Sequence, residues 1–175
     1  MTHLAWGITG AGHFLADCAD IILDLPEVDL FLSRAAEEVV CMYGLEERLL
    51  QGSRRVYRES RARASAPQVA RFSRGDYDWL VVAPATGNSV AKFAYGIADN
   101  LISNLFAQAG KSRVPIIVLP TDVAPEIDSP GPKGGWVKVF PRPVDLETVA
   151  RVRSFPGVTV VSSIAELRHA LELVG

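Results

Sequence analysis

Short apolar runs alternate along this chain with longer stretches whose apolar residues recur every three or four positions. The runs are residues 4–9, 28–32, 80–83, 114–120 and 158–161. They are rich in Val, Ile and Leu and show no regular polar alternation, which predicts strands buried on both faces, as in a parallel sheet. Residues 14–25, 35–43, 145–153 and 163–173 carry helical spacing. Strand and helix in alternation predict an α/β fold: a single doubly wound, mainly parallel sheet, Rossmann-like or flavodoxin-like, with helices on both faces. The 175-residue length predicts one domain over 1–175. Pro26 marks the end of the first helix, and Ser163 with Glu166 predicts a capping box at the last. Residues 137–140 alternate and predict a short fifth strand. They follow a long loop, 124–136, rich in Pro and Gly. Residues 45–74 give no clear element; Arg54, Arg55, Arg58, Arg61, Arg63, Arg71 and Arg74 make them basic and predict a solvated face or a subunit contact, the alternative being an anion-attracting mouth for a phosphorylated cofactor or an acidic electron carrier.

The pattern is most informative over residues 80–101. An apolar run breaks at Pro84 into small and polar residues, and apolar positions 90, 93, 94, 97, 98 and 101 then predict one helix. In an open α/β sheet ligands bind at the carboxyl ends of the strands. Ala85 and Gly87 allow a flat ligand close to the backbone, and Thr86, Asn88 and Ser89 offer hydrogen bonds; Asn88 or Ser89 can also cap the helix. The first strand runs into Thr9-Gly10-Ala11-Gly12-His13, a glycine-rich turn whose free N–H groups suit a phosphate. Leu15 stands at the third glycine position of the dinucleotide fingerprint, so an NAD-binding Rossmann domain is not expected. Ser33 is placed to cap the second helix with Arg34 beside it, and Thr121-Asp122 follow the 114–120 strand. Lys133 can meet a carboxylate or phosphate, and Trp136 can stack on a flat ring. Each turn also reads as a capped βα connection that binds nothing.

Charge narrows the choice. Eighteen basic and 20 acidic residues leave no field that favours nucleic acid or an anionic membrane. No apolar run approaches the ~20 residues of a membrane span. The N-terminus lacks a signal-peptide pattern, so a cytoplasmic protein is expected. Cys18 and Cys41 fall in helical patterns and are expected to be reduced and buried; two are too few for an intrachain iron–sulfur cluster, and no metal site is expected. His169 is expected to be a surface or packing residue.

Pro84-Ala85-Thr86-Gly87-Asn88-Ser89, with Ala91-Lys92 and Gly96-Ile97-Ala98-Asp99-Asn100-Leu101 after it, closely resembles the Pro-Ala-Ser-Ala-Asn-Thr segment of the homo-oligomeric flavin-containing cysteine decarboxylase superfamily. Residues 5–13 and 131–137 resemble its archaeal flavoprotein and dihydromethanopterin reductase branch. The resemblance implies FMN. Its ring would lie on Pro84, Ala85, Thr86, Gly87, Asn88 and Ser89, its phosphate on Thr9, Gly10, Ala11, Gly12, His13, Ser33 and Arg34, and Lys92 would be a further cofactor-binding residue. It implies trimers with FMN between chains, which can close into shells of about 12 or 24 chains. The decarboxylases use a histidine where Gln68 stands here and a cysteine in a C-terminal flap; no histidine occurs between His13 and His169, and no cysteine after Cys41. The implied function is therefore an FMN-dependent reductase that passes a hydride to a pterin C=N bond, dihydromethanopterin becoming tetrahydromethanopterin. Electrons would come from a nicotinamide nucleotide, a reduced flavin or a ferredoxin. His13, Asp122 and Lys133 are the candidate acids. An electron-transfer flavoprotein, a decarboxylase-like enzyme and a non-enzymatic interaction protein are the alternatives.

Overall fold

The computed structural model describes residues 2–62 and 67–174. Six parallel strands form the sheet: β1 (Leu4–Ile8), β2 (Val28–Leu32), β3 (Arg55–Arg58), β4 (Trp79–Ala85), β5 (Ile116–Pro120) and β8 (Val158–Val160). Their order is β3-β2-β1-β4-β5-β8, which reverses direction between β1 and β4. The four central strands are almost wholly buried, as their unbroken apolar runs require. Helices cover both faces. On one lie α1 (Leu15–Asp24), α2 (Arg34–Met42), α3 (Glu46–Gly52) and α7 (Ile164–Glu172), packed on Trp6, Ile8, Leu30 and Val81. On the other lie α4 (Gly87–Tyr95), α5 (Leu101–Lys111) and α6 (Pro143–Arg153), packed on Ala5, Leu80, Val82 and Val118. Alternate residues of one strand thus feed opposite cores. Trp6 is fully buried, and its indole N–H donates to the Ala83 carbonyl at 2.7 Å, so even the largest central side chain ties β1 to β4.

Several expectations need correction. The helical pattern through Leu101 is two helices. Gly96 takes φ +70°, and the Ile97 N–H bonds back to the Lys92 carbonyl at 2.9 Å, a glycine-ended helix stop. Asn100 and Ser103 then cap α5 reciprocally. Residues 45–74 hold α3 and the edge strand β3. Arg55 and Arg58 flank Val56 and Tyr57 there, and Tyr57 stacks on Phe31 at 4.6 Å. Charged residues suit an edge strand, where they oppose pairing with another chain. Residues 137–140 do not extend the main sheet. The strand β7 (Trp136–Val139) pairs antiparallel with β6 (Ile127–Pro130), inside the expected loop, as a separate hairpin. Gly134 and Gly135, at φ +85° and +80°, make its turn. Cys18 is buried, which raises its thiol pKa, but Cys41 is exposed. Ser163 accepts from Glu166 N–H as expected, whereas the Glu166 carboxylate reaches the N–H of Ser162 rather than of Ser163. Arg63 lies outside the described residues.

The basic stretch is also less solvated than expected. Asp29, fully buried in β2, accepts from Arg54 Nε at 3.0 Å and from the Tyr77 hydroxyl at 2.8 Å, with Arg71 Nη1 at 3.4 Å. Burial, with the bond to Asp29, drives the Tyr77 phenol pKa up. Arg71 also bonds Tyr57 and Asp76. Two arginines from a polar segment thus neutralise one carboxylate under the sheet edge, because a buried charge left alone costs several kcal/mol. Asp29→Asn is expected to lower unfolding stability by about 3 kcal/mol, and Tyr77→Phe by about 1–2 kcal/mol, both measured by urea denaturation at neutral pH.

Candidate functional site

The reversal of strand order opens a crevice at the carboxyl ends of β1 and β4. Thr9 spans it. Its hydroxyl donates to the Pro84 carbonyl at 2.9 Å and accepts from the Thr86 N–H at 2.9 Å. Its own N–H also reaches the Pro84 carbonyl at 3.2 Å. Thr9 is buried and committed within the protein, so it sets the spacing of the two loops rather than offering a ligand its O–H. Next along the sheet, the Thr121 N–H donates to the Ala85 carbonyl at 2.9 Å. Three strand ends are thereby stitched into one rim.

On one side of the crevice, Gly10, Ala11, Gly12 and His13 form an open turn. The N–H groups of Gly10, Gly12 and His13 find no partner among the described residues. A Cβ on Gly10 would fall 2.6 Å from that of Ala35, and one on Gly12 would overlap the Tyr43 hydroxyl. Only glycine lets this turn nest against α2. Ser33 caps that helix, its Oγ accepting from the Ala36 N–H at 3.0 Å. The first turn of α2 packs on Gly10 through Ala35, while its Arg34 N–H already donates to the Glu59 carboxylate at 2.7 Å. Arg34 is exposed, and its guanidinium forms no ion pair among the described residues. Unpartnered N–H groups, a helix start and a cation are the chemistry of a phosphate site.

On the other side, Thr86 rather than Asn88 or Ser89 caps α4, accepting from the Ser89 N–H at 3.2 Å and donating to Ser89 Oγ at 3.1 Å. Asn88 is exposed, and its amide has no partner among the described residues. Pro84, Ala85, Gly87 and Ser89 are buried. Lys92 is not brought to this loop's open edge: its ammonium pairs with Asp99 at 2.8 Å, across the α4–α5 junction.

Gly10, Ala11, Gly12, His13, Thr86 and Asp122 line a cleft of about 230 Å³ between these loops. Ile127, Ser129 and Val139 of the hairpin close one side of it. The hairpin is anchored by the Tyr43 hydroxyl, which donates to the Pro130 carbonyl at 2.8 Å. Sequence reading missed that wall, because Ile127 and Ser129 sit in what resembles an irregular loop. It also missed Tyr43, whose only sequence signal was a place at the end of a helical pattern. Lys133 is exposed in the hairpin turn, and Trp136 and Phe140 are largely exposed on the hairpin. Gln68 sits in a short 3-10 turn (Pro67–Arg71), outside the cleft lining.

Two ionisable groups face the cleft. Burial lowers the His13 pKa, with Asp17 and Asp122 opposing, and His13 Nδ1 is buried without a partner among the described residues. The Asp122 Oδ2 accepts from the Gly87 N–H at 2.9 Å. Burial and nearby Asp145 raise the Asp122 pKa, against the Gly87 N–H, Thr121 and Arg142. Asp145 is itself held below the usual carboxylate range by Arg142, which grips it through Nε at 3.0 Å and Nη2 at 2.7 Å. A Cβ on Gly87 would lie 2.5 Å from Asp122 Oδ2 and 3.1 Å from Asp145 Oδ1, so this carboxylate corner also requires glycine. The site fits a flat, phosphorylated cofactor: a cradle for the phosphate, a loop edge at Thr86 and Asn88 for a ring, and an amide and an imidazole nitrogen without partners among the described residues.

Known proteins share this architecture. The dihydromethanopterin reductase (acceptor) of Methanosarcina mazei is 36% identical, over 91% of this chain and 95% of its own. The crystal structure of Burkholderia xenovorans DmrB in complex with FMN, described as a cubic protein cage for redox transfer, superposes with a TM-score of 0.88. It is 41% identical and covers 98% of this chain and 94% of its own. Phenylacrylic acid decarboxylase from Aquifex aeolicus shares the fold, with a TM-score of 0.68 at 24% identity over 99% of this chain and 97% of its own. The flavoprotein family model matches residues 1–172. By that match across nearly its whole length, the chain belongs to the flavoprotein family.

Proposed function

We propose that this protein is an FMN-dependent reductase that delivers a hydride to a dihydropterin C=N bond, converting dihydromethanopterin to tetrahydromethanopterin. One observation carries the reading: the glycine turn after β1 and the small-residue loop after β4 face each other across one cleft, in a chain similar to dihydromethanopterin reductase over nearly its full length. Gly10, Gly12 and His13 would hold the FMN phosphate through their N–H groups, with Ser33 and Arg34 at the start of α2. Pro84–Ser89 would carry the ring, and Asn88 has the free amide to read its polar edge. When bound, FMN supplies the hydride chemistry, and the protein positions and tunes it. Ile127 and Val139 exclude water from one side of the cleft. Lys92 acts at a distance, holding Asp99 and so the bend between α4 and α5. Electrons come from an external donor: a nicotinamide nucleotide, a reduced flavin or a ferredoxin.

We also propose a trimer-based homo-oligomer. DmrB forms a cubic cage, and this chain leaves large apolar side chains exposed at Tyr95, Ile97, Trp136 and Phe140. Exposed large apolar side chains suit burial against another copy of the chain.

Anaerobic spectroscopy tests the function. The FMN-loaded, fully reduced protein is expected to regain its oxidised flavin band on addition of dihydromethanopterin, with tetrahydromethanopterin formed; a flavin that stays reduced with pterin but reoxidises with a protein carrier refutes pterin reduction. Gly10→Ala is expected to weaken FMN binding by about tenfold or more, roughly 1.4 kcal/mol per decade, in a fluorescence titration. Ile97→Glu is expected to shift the assembly to smaller species in size-exclusion chromatography with light scattering, and an unchanged mass would place the contact elsewhere.

A further inference from the structure

Resting on the reductase reading above, we propose that Asp122 is the acid of the reaction, delivering the proton that the pterin nitrogen takes up as the adjoining carbon receives the hydride. Reduction of a C=N bond needs both. The carbon gains a C–H bond from the two-electron reduced flavin, which becomes oxidised. The π pair of the C=N bond withdraws onto nitrogen. That nitrogen then forms an N–H bond, and the proton must come from a group inside the cleft or from water.

The cleft restricts the choice. Lys133 lies exposed in the hairpin turn, outside the lining. His13 lines the cleft from the turn proposed to hold the FMN phosphate, not from beside the loop proposed to carry the ring, and burial also favours its neutral form. Asp122 is the one carboxyl among the described lining residues. It follows β5 at the same rim as Thr86, so it stands beside the loop proposed to carry the flavin ring. The bond from the Gly87 N–H holds Oδ2 at 2.9 Å and so orients the carboxyl at the cleft wall.

The surroundings suit a group that must hold and then release a proton. Asp145 faces Asp122 from α6, and both carboxylates crowd the same Gly87 Cα. Asp145 keeps its charge because Arg142 grips it, so the nearby negative charge is permanent and favours the protonated form of Asp122. His13 faces it from the turn after β1, and Thr121 is its chain neighbour. The Gly87 N–H, Thr121 and Arg142 oppose protonation, but burial and Asp145 outweigh them. After transfer the carboxylate takes a new proton from solvent at the mouth of the cleft.

The test uses the full-length, FMN-loaded protein, photoreduced without oxygen and mixed with dihydromethanopterin in a stopped-flow instrument. Asp122→Asn keeps the shape and an oxygen for the Gly87 N–H but has no acidic proton. It is expected to slow flavin reoxidation by about 100-fold or more, with the FMN dissociation constant within about threefold of wild type. The wild-type rate is expected to fall as pH rises through the Asp122 pKa, and this limb to vanish in the Asn variant. Asp122→Glu is expected to recover at least part of the loss. Reoxidation of the Asn variant at the wild-type rate with an unchanged pH profile overturns the assignment and makes water the acid. A large loss of FMN affinity also overturns it, in favour of a structural role. If reduced wild type is not reoxidised by the pterin, the reductase reading itself fails, and this assignment falls with it.

Discussion

One hydroxyl group sets the geometry on which the site depends. Thr9 donates to Pro84 and accepts from Thr86, which ties the ends of β1 and β4 beyond their strand pairing. The fold places its crevice between these two strands, because their helical connections lead away in opposite directions. Without a tie, the glycine turn and the small-residue loop would be two surface connections. With it, they become two walls at fixed spacing. The rest of the rim follows the same logic of close approach. Gly10 leaves room for Ala35, Gly12 for the Tyr43 hydroxyl and Gly87 for two carboxylates, and in each case a methyl group would occupy space already filled.

Three aspartates show how placement sets chemistry. Asp29 is sealed in the sheet with two arginines and a tyrosine, and it stabilises the fold. Asp145 is buried at the start of α6 but gripped by Arg142, which fixes its charge. Asp122 has one backbone N–H and a fixed negative neighbour. Identical side chains thus differ in setting: a structural counter-ion, a charge fixed by its arginine, and a cleft carboxyl whose pKa burial raises. The difference lies in how many donors each meets and how far water is excluded.

The sequence made the central strands legible, because a strand buried on both faces must be a continuous apolar run. The two loops of the site were legible for a related reason: their small and polar residues interrupt that pattern at the ends of strands. What lay hidden depended on partners distant in the chain. Arg54 and Arg71 read as surface charges until folding brings Asp29 beneath them. The hairpin wall read as a loop because Pro130 and the glycines around it break the strand alternation. Gly96 and Asn100 did carry the signal that divides α4 from α5, but the apolar spacing runs across the break and masks it. Thr86 was overlooked as a cap because Asn88 and Ser89, just after it in the same loop, could each have filled that role.

The Thr9 clamp has a bearing on synthesis. It joins positions 75 and 77 residues apart, and β1 has β4 as a neighbour on one side and β2 on the other. As the chain leaves the ribosome, β1, β2 and β3 can pair first, but β1 stays half-covered until β4 emerges. The cleft is therefore among the later features to close, and it exists only in a chain whose two halves have joined. A ligand held there binds the finished fold and not its forerunners, and so draws newly made chains toward completion.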